Sequence, residues 1–446
     1  MSGEDSLRER FEAAGVRALA LTMVDNGGIT RVKAVPLARL ERVAANGVGM
    51  AYIWAAAGTD DLFADVPPFD NPSGDMRLIP DLAAARVLTA APGWAWAPVD
   101  QMSQELEPVP ACQRSALKRV VAAAQSAGVE LRATFEIEAT LLAADGSPAH
   151  TGPGYSTTAL ALLDGFLLDL VSALEVAGIE VEQFHPEYAP GQFEVSIAAR
   201  DPLAAADDLV FVRTQMRFAA RRHGLAVSFA PIVFPGEVGN GCHAHLSVWR
   251  DGRNLMQGGG RPGGLTDTGA AALGGVVAAL PELLAALAPS PVSYLRLQPH
   301  HWAGAYSCWG VENREAAVRF IPGTITSRER SANFEVKVGD GGANPYVVMT
   351  LLTAAAVDGI ARAAPLPDPV QDDPAALSAG ALADRGIARL PATLGSATAL
   401  FAASTVARAA LGEVLHDAFA AVRRREWETH GALSEEQAVE AYRWRY

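Results

Sequence analysis

Apolar positions recur with a period of two in some stretches of this chain and with a helical period in others, so the pattern predicts a mixed α+β fold. In the amino-terminal part, a short amphipathic start (Leu7, Phe11, Val16) leads into two strand-like runs, Ala18 to Val24 and Arg31 to Val35. Asn26-Gly27-Gly28 between them signals a hairpin, because these residues tolerate the positive φ that a tight turn needs. We expect a small sheet domain over residues 1–103, closed by the polar, proline-bracketed stretch Met102 to Pro110. Residues 104–446 then read as a larger domain. Its helical spacings fall at 115–127, 160–177, 202–223 and 269–287, and its strand candidates at 131–142, 179–188, 193–197, 226–234, 242–249, 315–321 and 332–338. Asn344-Pro345 supplies an N-cap and a first-turn proline for a helix through Ile360. The Ala-rich tail keeps helical spacing at Leu411, Val414, Leu415 and Phe419.

With 446 residues, 50% of them hydrophobic, the chain has material for two to three domains and a large core. A formal charge of -14 removes the general attraction to a phosphate backbone, which argues against nucleic-acid or polybasic membrane partners. Three scattered cysteines, Cys112, Cys242 and Cys308, fit a reducing compartment and a cytoplasmic location. The polar amino terminus lacks the apolar stretch of a signal peptide. The apolar run Gly269 to Leu280 is cut by Pro281 and Glu282, so no membrane span is expected.

The chemistry lies on the strands. Glu136 and Glu138, two residues apart, share one face, as do His243 with His245 and Glu335 with Lys337. Around Pro190-Gly191, which has the signature of a type II turn, Tyr188 should face Phe193 and Glu187 should face Glu194. Like charges directly opposed are destabilising unless a cation lies between them. Any one pair could be an ordinary solvated feature. Jointly, five glutamates and one or two histidines on strands favour a hard cation, Mg2+ or Mn2+, over zinc. No Walker loop occurs, and Gly258 to Gly264 reads as a surface loop. Arg296, Arg314, Arg319 and Arg330 near the Glu335 strand are either a solvated face or the forks that phosphoryl transfer from ATP requires.

Several motifs together resemble the glutamine synthetase family: Gly74-Asp-Met-Arg-Leu-Ile-Pro-Asp81, Phe135-Glu-Ile-Glu138, His185-Pro-Glu-Tyr-Ala-Pro-Gly-Gln-Phe-Glu194, Gly239-Asn-Gly-Cys-His-Ala-His245, Asn313-Arg314 with Arg319, and Gly339 to Tyr346. The resemblance implies an amino-terminal β-grasp domain and a catalytic domain of curved antiparallel strands. It also implies a homo-oligomeric ring, a dodecamer, with active sites between subunits. Glu138, Glu187 and Glu194 resemble the ligands of the metal near the substrate glutamate; Glu136, His243 and Glu335 resemble those of the metal on the ATP phosphates. Two to three Mg2+ or Mn2+ ions per site are implied. Glu182, His245, Ser247, Arg319 and Arg330 fall where the family contacts ATP. Glu138, Gly239, Arg296, Arg314 and Lys337 fall where it holds glutamate, and Arg314 and Arg319 where it stabilises the transferred phosphoryl group. The implied chemistry is attack of the glutamate γ-carboxylate on ATP, then displacement of phosphate by an amine, with Glu187 helping to remove the amine proton.

The departures from that pattern concern the amine. Ala51 and Trp302 stand where ammonia-using members carry acidic residues, and Tyr155 matches the family's amine-site tyrosine. Tyr52, Ile53 and Trp54 lie beside Ala51, and Asp60 or Asp61 could stand in for the missing aspartate. Lys337 replaces a substrate-contacting arginine and Val238 an asparagine; no tyrosine lies between residues 347 and 441, where some bacterial members are adenylylated. The leading expectation is an ATP-dependent carbon–nitrogen ligase joining glutamate to an organic amine such as a polyamine, ethanolamine or another monoamine. The alternatives are an ammonia-using glutamine synthetase, a noncatalytic scaffold or regulator, and a ligase for a different acid.

Overall fold

The structure, a computed structural model, describes residues 6–71 and 73–446; the start of the polar amino terminus lies outside them. The first sheet is built from β1 (Ala18–Val24), β2 (Thr30–Pro36), β3 (Val48–Ala51), β4 (Asp75–Pro80), β5 (Arg86–Val87) and β6 (Trp94–Met102), in the order β2-β1-β6-β4-β3 with β5 on β6. β1 and β2 form the expected hairpin, Ala18 opposite Pro36 and Val24 opposite Thr30, while β1 and β6 run parallel at the centre. With the helix Leu40–Asn46, which buries Leu40 and Val43, this is a β-grasp unit. Gly28 in the hairpin has φ 84°, and a Cβ there would lie 1.9 Å from the carbonyl oxygen of Gly342, so only glycine allows this turn to meet the second sheet's glycine loop.

The second sheet has ten strands: β7 (Glu130–Leu142), β8 (Val181–Pro186), β9 (Gln192–Ile197), β10 (Ala226–Ser228), β11 (Ala244–Arg250), β12 (Arg253–Asn254), β13 (Tyr306–Val311), β14 (Ala316–Ile321), β15 (Asn333–Val336) and β16 (Ala388–Arg389). Its path is β16-β13-β14-β15-β11-β7-β9-β8, with β10 on β7 and β12 on β11. Strands β7, β9 and β15 of this sheet, with the segment leading into β11, line one cavity. The ladder is antiparallel except between β13 and β14, which run parallel, a departure from the all-antiparallel expectation. β13 escaped the pattern because Tyr-Ser-Cys-Trp-Gly-Val does not alternate.

Two sequence expectations need correction. The strand expected at 226–234 stops at Ser228, because Pro231 has no N–H for a ladder; its carbonyl instead accepts from the Asn240 N–H at 2.9 Å. The hairpin register also differs. Pro190-Gly191 does form the turn, closed by the Gln192 N–H on Ala189 O at 3.0 Å with Gly191 at φ 73°, but Pro186 faces Phe193 and His185 faces Glu194. Glu187 leaves the strand and bonds through its N–H to Gln192 O at 2.8 Å, so it is not the cross-strand partner of Glu194; Glu138 is. The helix expected over 269–287 runs Asp267–Leu287, with Pro281 inside it. The carbonyl that Pro281 leaves without a donor, Val277 O, lies 3.5 Å from the donating Ser307 hydroxyl. That helix is long and apolar enough to cross a membrane, and it is buried here against Pro345–Ala361 and Leu394–Ala403.

The carboxy-terminal helix Glu413–His430 ties the two sheets together. Ala418, Ala421 and Val422 complete the core under the first sheet beside Leu19, Met50 and Ala97. Arg423, fully buried on the same helix, donates to Asn26 O at 2.8 Å and to Pro289 O.

Candidate active site

The strand periodicity puts Glu136 and Glu138 on the concave face of β7, with Ile137 pointing into the core between them. Across the sheet, Glu138 faces Glu194 of β9, and Glu335 of β15 faces His245 of β11. His243 sits one residue before β11, yet its ring reaches the same face: Nδ1 lies 3.0 Å from both Glu136 and Glu335. The cavity so formed has a volume of about 260 Å3 and is lined by carboxylates on one wall and by Arg296, Arg314 and Lys337 on another.

Two groups of ligand atoms close enough for one ion each emerge: Glu136 with His243 and Glu335, and Glu187 with Glu194 and His185. The first matches the trio carried over from the resemblance. The second contains His185, 3.6 Å from both glutamates, a residue the sequence reading quoted without a role. Its position opposite Glu194 in the true register is the signal that would have found it. Glu138 stands between the groups, with Oε1 3.7 Å from His243 Nε2.

The electrostatics call for a cation. Burial, together with repulsion from Glu136, Glu138 and Glu187, pushes the Glu194 carboxyl up to about 9. Burial also raises Glu187, with Glu138 adding to it and the Tyr155 hydroxyl opposing at 2.6 Å. Against its own burial, Glu136 is held well below the usual carboxylate range by His245 and His243. His245 rises to about 9, because the glutamates, Glu136 foremost, outweigh its burial. A cluster of buried carboxylates that raise one another's affinity for a proton fits a hard divalent ion bound to oxygen and imidazole.

On the cationic wall Arg296 and Lys337 are buried, while Arg314 is exposed. Arg296 is 5% exposed; its Nη2 donates to His243 Nε2 at 3.0 Å and to Lys337 O at 3.2 Å, while Nη1 has no hydrogen-bond partner among the described residues. A buried guanidinium with an unused donor, on a residue that lines the pocket, favours a carboxylate nearby. Lys337 Nζ lies 3.1 Å from Glu335 Oε1, and Arg319 Nη1 3.5 Å from Glu335 Oε2. Gly239, whose absent Cβ would lie 1.9 Å from Pro231 O, brings its backbone to the cavity beside Val238.

The pocket mouth carries Tyr155, Tyr188 and Trp302, which are 61%, 62% and 56% exposed. Tyr155 and Trp302 have φ of 56° and 52°, values that bulky residues rarely adopt. The Trp302 N–H donates to Glu315 Oε1 at 3.2 Å, and neighbouring His300 pairs with Asp373 at 3.0 Å. Tyr188, His300 and His301 line the pocket, and the sequence reading gave none of them a role.

Other expected residues lie off this cavity. His245 is one layer further along β11, 3.2 Å from Glu136 and 2.9 Å from Asn333. Ser247 follows on the same strand and accepts from the Trp249 indole at 2.8 Å. Glu182 is exposed on β8, and Arg330 is exposed in the short helix Arg328–Ser331. Ala51 ends β3 in the first sheet and does not line the cavity within one chain. Tyr52 and Trp54 pack on Phe69 and Phe63 of their own domain. The suggested replacements for the missing aspartate are already engaged: Asp60 by both Arg425 nitrogens at 2.9 Å, Asp61 by Arg31 at 2.6 Å.

Known proteins share this sequence and fold. The glutamine synthetase catalytic-domain family matches residues 110–442, and the glutamine synthetase N-terminal-domain family matches residues 4–112. A gamma-glutamylpolyamine synthetase of Streptomyces coelicolor is 47% identical over 99% of this chain and 96% of its own length. The glutamine synthetase of Methanocaldococcus jannaschii is 30% identical over 79% of this chain and 80% of its own. Among solved structures, one described as a novel glutamine synthase homolog superposes with TM-score 0.87 at 35% identity over 100% of both chains. A GmaS/ADP complex superposes with TM-score 0.84 at 30% identity over 97% of each. In fold and in sequence across nearly its whole length, the chain belongs to the glutamine synthetase family.

Proposed function

We propose that this chain is an ATP-dependent carbon–nitrogen ligase that activates glutamate as γ-glutamyl phosphate and transfers the glutamyl group to an organic amine, a polyamine in first place. The observation that carries this reading is an intact carboxylate–imidazole and arginine cavity whose amine side is lined by Tyr155, Tyr188 and Trp302. The Streptomyces relative, a gamma-glutamylpolyamine synthetase by name, supports it.

In this reading Arg296 holds a glutamate carboxylate through its open Nη1, with Gly239 and Lys337 beside it. Lys337 contributes a point charge where a fork would bind in two places. Arg314 and Arg319 stabilise the transferred phosphoryl group. Glu182, His245, Ser247 and Arg330 belong to the ATP side of the sheet. Glu187, oriented by the Tyr155 hydroxyl, accepts the proton that the amine must lose to attack. Glu136, His243 and Glu335 would hold one divalent ion, and Glu138, Glu187 and Glu194 with His185 a second; two to three Mg2+ or Mn2+ ions per site are part of the proposal. Such ions supply positive charge to the phosphate and carboxylate oxygens.

The working form we propose is a cytoplasmic homo-oligomeric ring, a dodecamer. There a neighbour's first sheet would bring its Ala51 to the amine side of the cavity, a contact absent within one chain.

The acyl-phosphate step has an isotopic signature. One γ-carboxyl oxygen of glutamate forms the bond to the γ-phosphorus as ADP leaves, and departs with phosphate when the amine takes the carbonyl carbon. With 18O in the γ-carboxylate, one labelled oxygen is expected in each phosphate released, read by mass spectrometry. Unlabelled phosphate would contradict the proposed activation.

A further inference from the structure

We infer that Gln192 is a positioning residue that fixes the Glu138 carboxylate so that one of its oxygens, and not the other, is presented to the bound cation. This rests on the assignment of Glu138 as a metal ligand made above.

Gln192 is buried at 1% exposure and uses its two ends for different tasks. Its backbone N–H and side-chain Oε1 bond to Ala189, at 3.0 and 2.9 Å, and its carbonyl accepts from the Glu187 N–H at 2.8 Å, so this end holds the Pro190-Gly191 turn. The Nε2 end points the other way. It lies 2.9 Å from Glu138 Oε2, 3.1 Å from Gly239 O and 3.2 Å from Asn240 Oδ1. The Gly241 N–H adds a second donor to the same Glu138 oxygen at 2.7 Å.

Oε2 of Glu138 is therefore saturated by two donors, one from a side chain and one from the backbone. Oε1 is left facing His243 and the cavity. The 239–241 loop cannot supply this control alone, because Gly241 has no side chain. A Cβ there would sit 2.8 Å from Glu138 Oε1 and 2.4 Å from His243 Nε2, so the loop packs too close to the ligands to carry one. One amide thus joins the turn bearing Glu187, the ligand Glu138 and the loop that carries Gly239. Hydrogen-bond partners of metal ligands set ligand orientation, and losing one typically costs about 10- to 100-fold in metal affinity.

The test uses the full-length chain with Mn2+ alone as probe, its binding followed by electron paramagnetic resonance without substrates or turnover. Glu138→Ala identifies the ion that Glu138 holds. In Gln192→Met, which keeps volume but has no donor, the Kd of that ion is expected to rise about 10- to 100-fold. Gln192→Glu keeps the acceptor that bonds the Ala189 N–H, so it preserves the turn if the methionine variant fails to fold; it also loses the donors to Glu138. It is expected to weaken the same ion. Binding within twofold of the parent in a folded variant would overturn the inference. Tighter binding in Gln192→Glu would overturn it as well, since negative charge would then matter and orientation would not. If Glu138→Ala leaves every Mn2+ ion unaffected, the metal assignment falls, and the inference with it.

Discussion

Glu335→Ala is expected to abolish ATP turnover, and Glu138→Ala to do the same. Glu335 is 1% exposed and lies within 3.0 Å of His243, 3.1 Å of Lys337 and 3.5 Å of Arg319. Burial works against its ionised form, but Lys337 and then His243 hold it well below the usual carboxylate range, so it is a fixed negative charge at working pH. Its removal strands buried cations, a loss on the order of 3–5 kcal/mol. It also deletes a ligand from the proposed phosphate-side ion. The rate of ADP formation with glutamate and amine saturating should fall by at least about 10²–10³. Because Glu138 has fewer cations to strand, its alanine variant should lose activity with a smaller drop in melting temperature. Substantial ADP formation by either variant would remove the basis for the dinuclear assignment.

The double variant Trp302→Glu with Ala51→Asp should turn the enzyme toward ammonium. Trp302 meets the cavity with its side chain and bonds Glu315 only through its backbone N–H, so a glutamate there keeps the local hydrogen bond. A carboxylate at the mouth attracts a small cation and can accept its proton, while the loss of the indole removes a surface for an alkyl chain. The ratio of kcat/KM for ammonium to that for the best organic amine should rise about 10- to 100-fold, or about 1.4 to 2.8 kcal/mol. Ala51 lies outside the cavity of its own chain, so Ala51→Asp alone should act only in assembled protein and fall silent in dissociated subunits. An unchanged ratio in the assembled double variant would show that these positions do not set amine choice.

The sequence made much of this site legible, for a physical reason. Residues two apart on a strand share a face, so Glu136 with Glu138 and Glu335 with Lys337 could be paired before any coordinates. What spacing could not supply was register. The Pro190-Gly191 turn was recognisable, but the chain inserts Glu187 and Tyr188 between the strand and the turn, which moves Glu194 opposite His185 and hides that histidine's place. Residues acting through unusual backbone geometry were also invisible: nothing in the letters around His300 and Trp302 signals φ of 65° and 52°. Gln192 was read only as part of a motif, because an amide's role depends on which way its two ends point. In the fold, the β1–β2 hairpin followed from Asn26-Gly27-Gly28. The helical spacing over 269–287 likewise carried through Pro281, and burial against helices far along the chain holds that helix in place.

The most direct measurement is phosphate release by the purified chain with ATP, Mg2+ and glutamate, comparing ammonium with methylamine, ethanolamine and aliphatic di- and polyamines, products confirmed by mass. The predicted result is a γ-glutamyl amide from an organic amine, with polyamines ahead and ammonium far behind. Preference for ammonium, or ATP binding without turnover on any amine, would contradict the account.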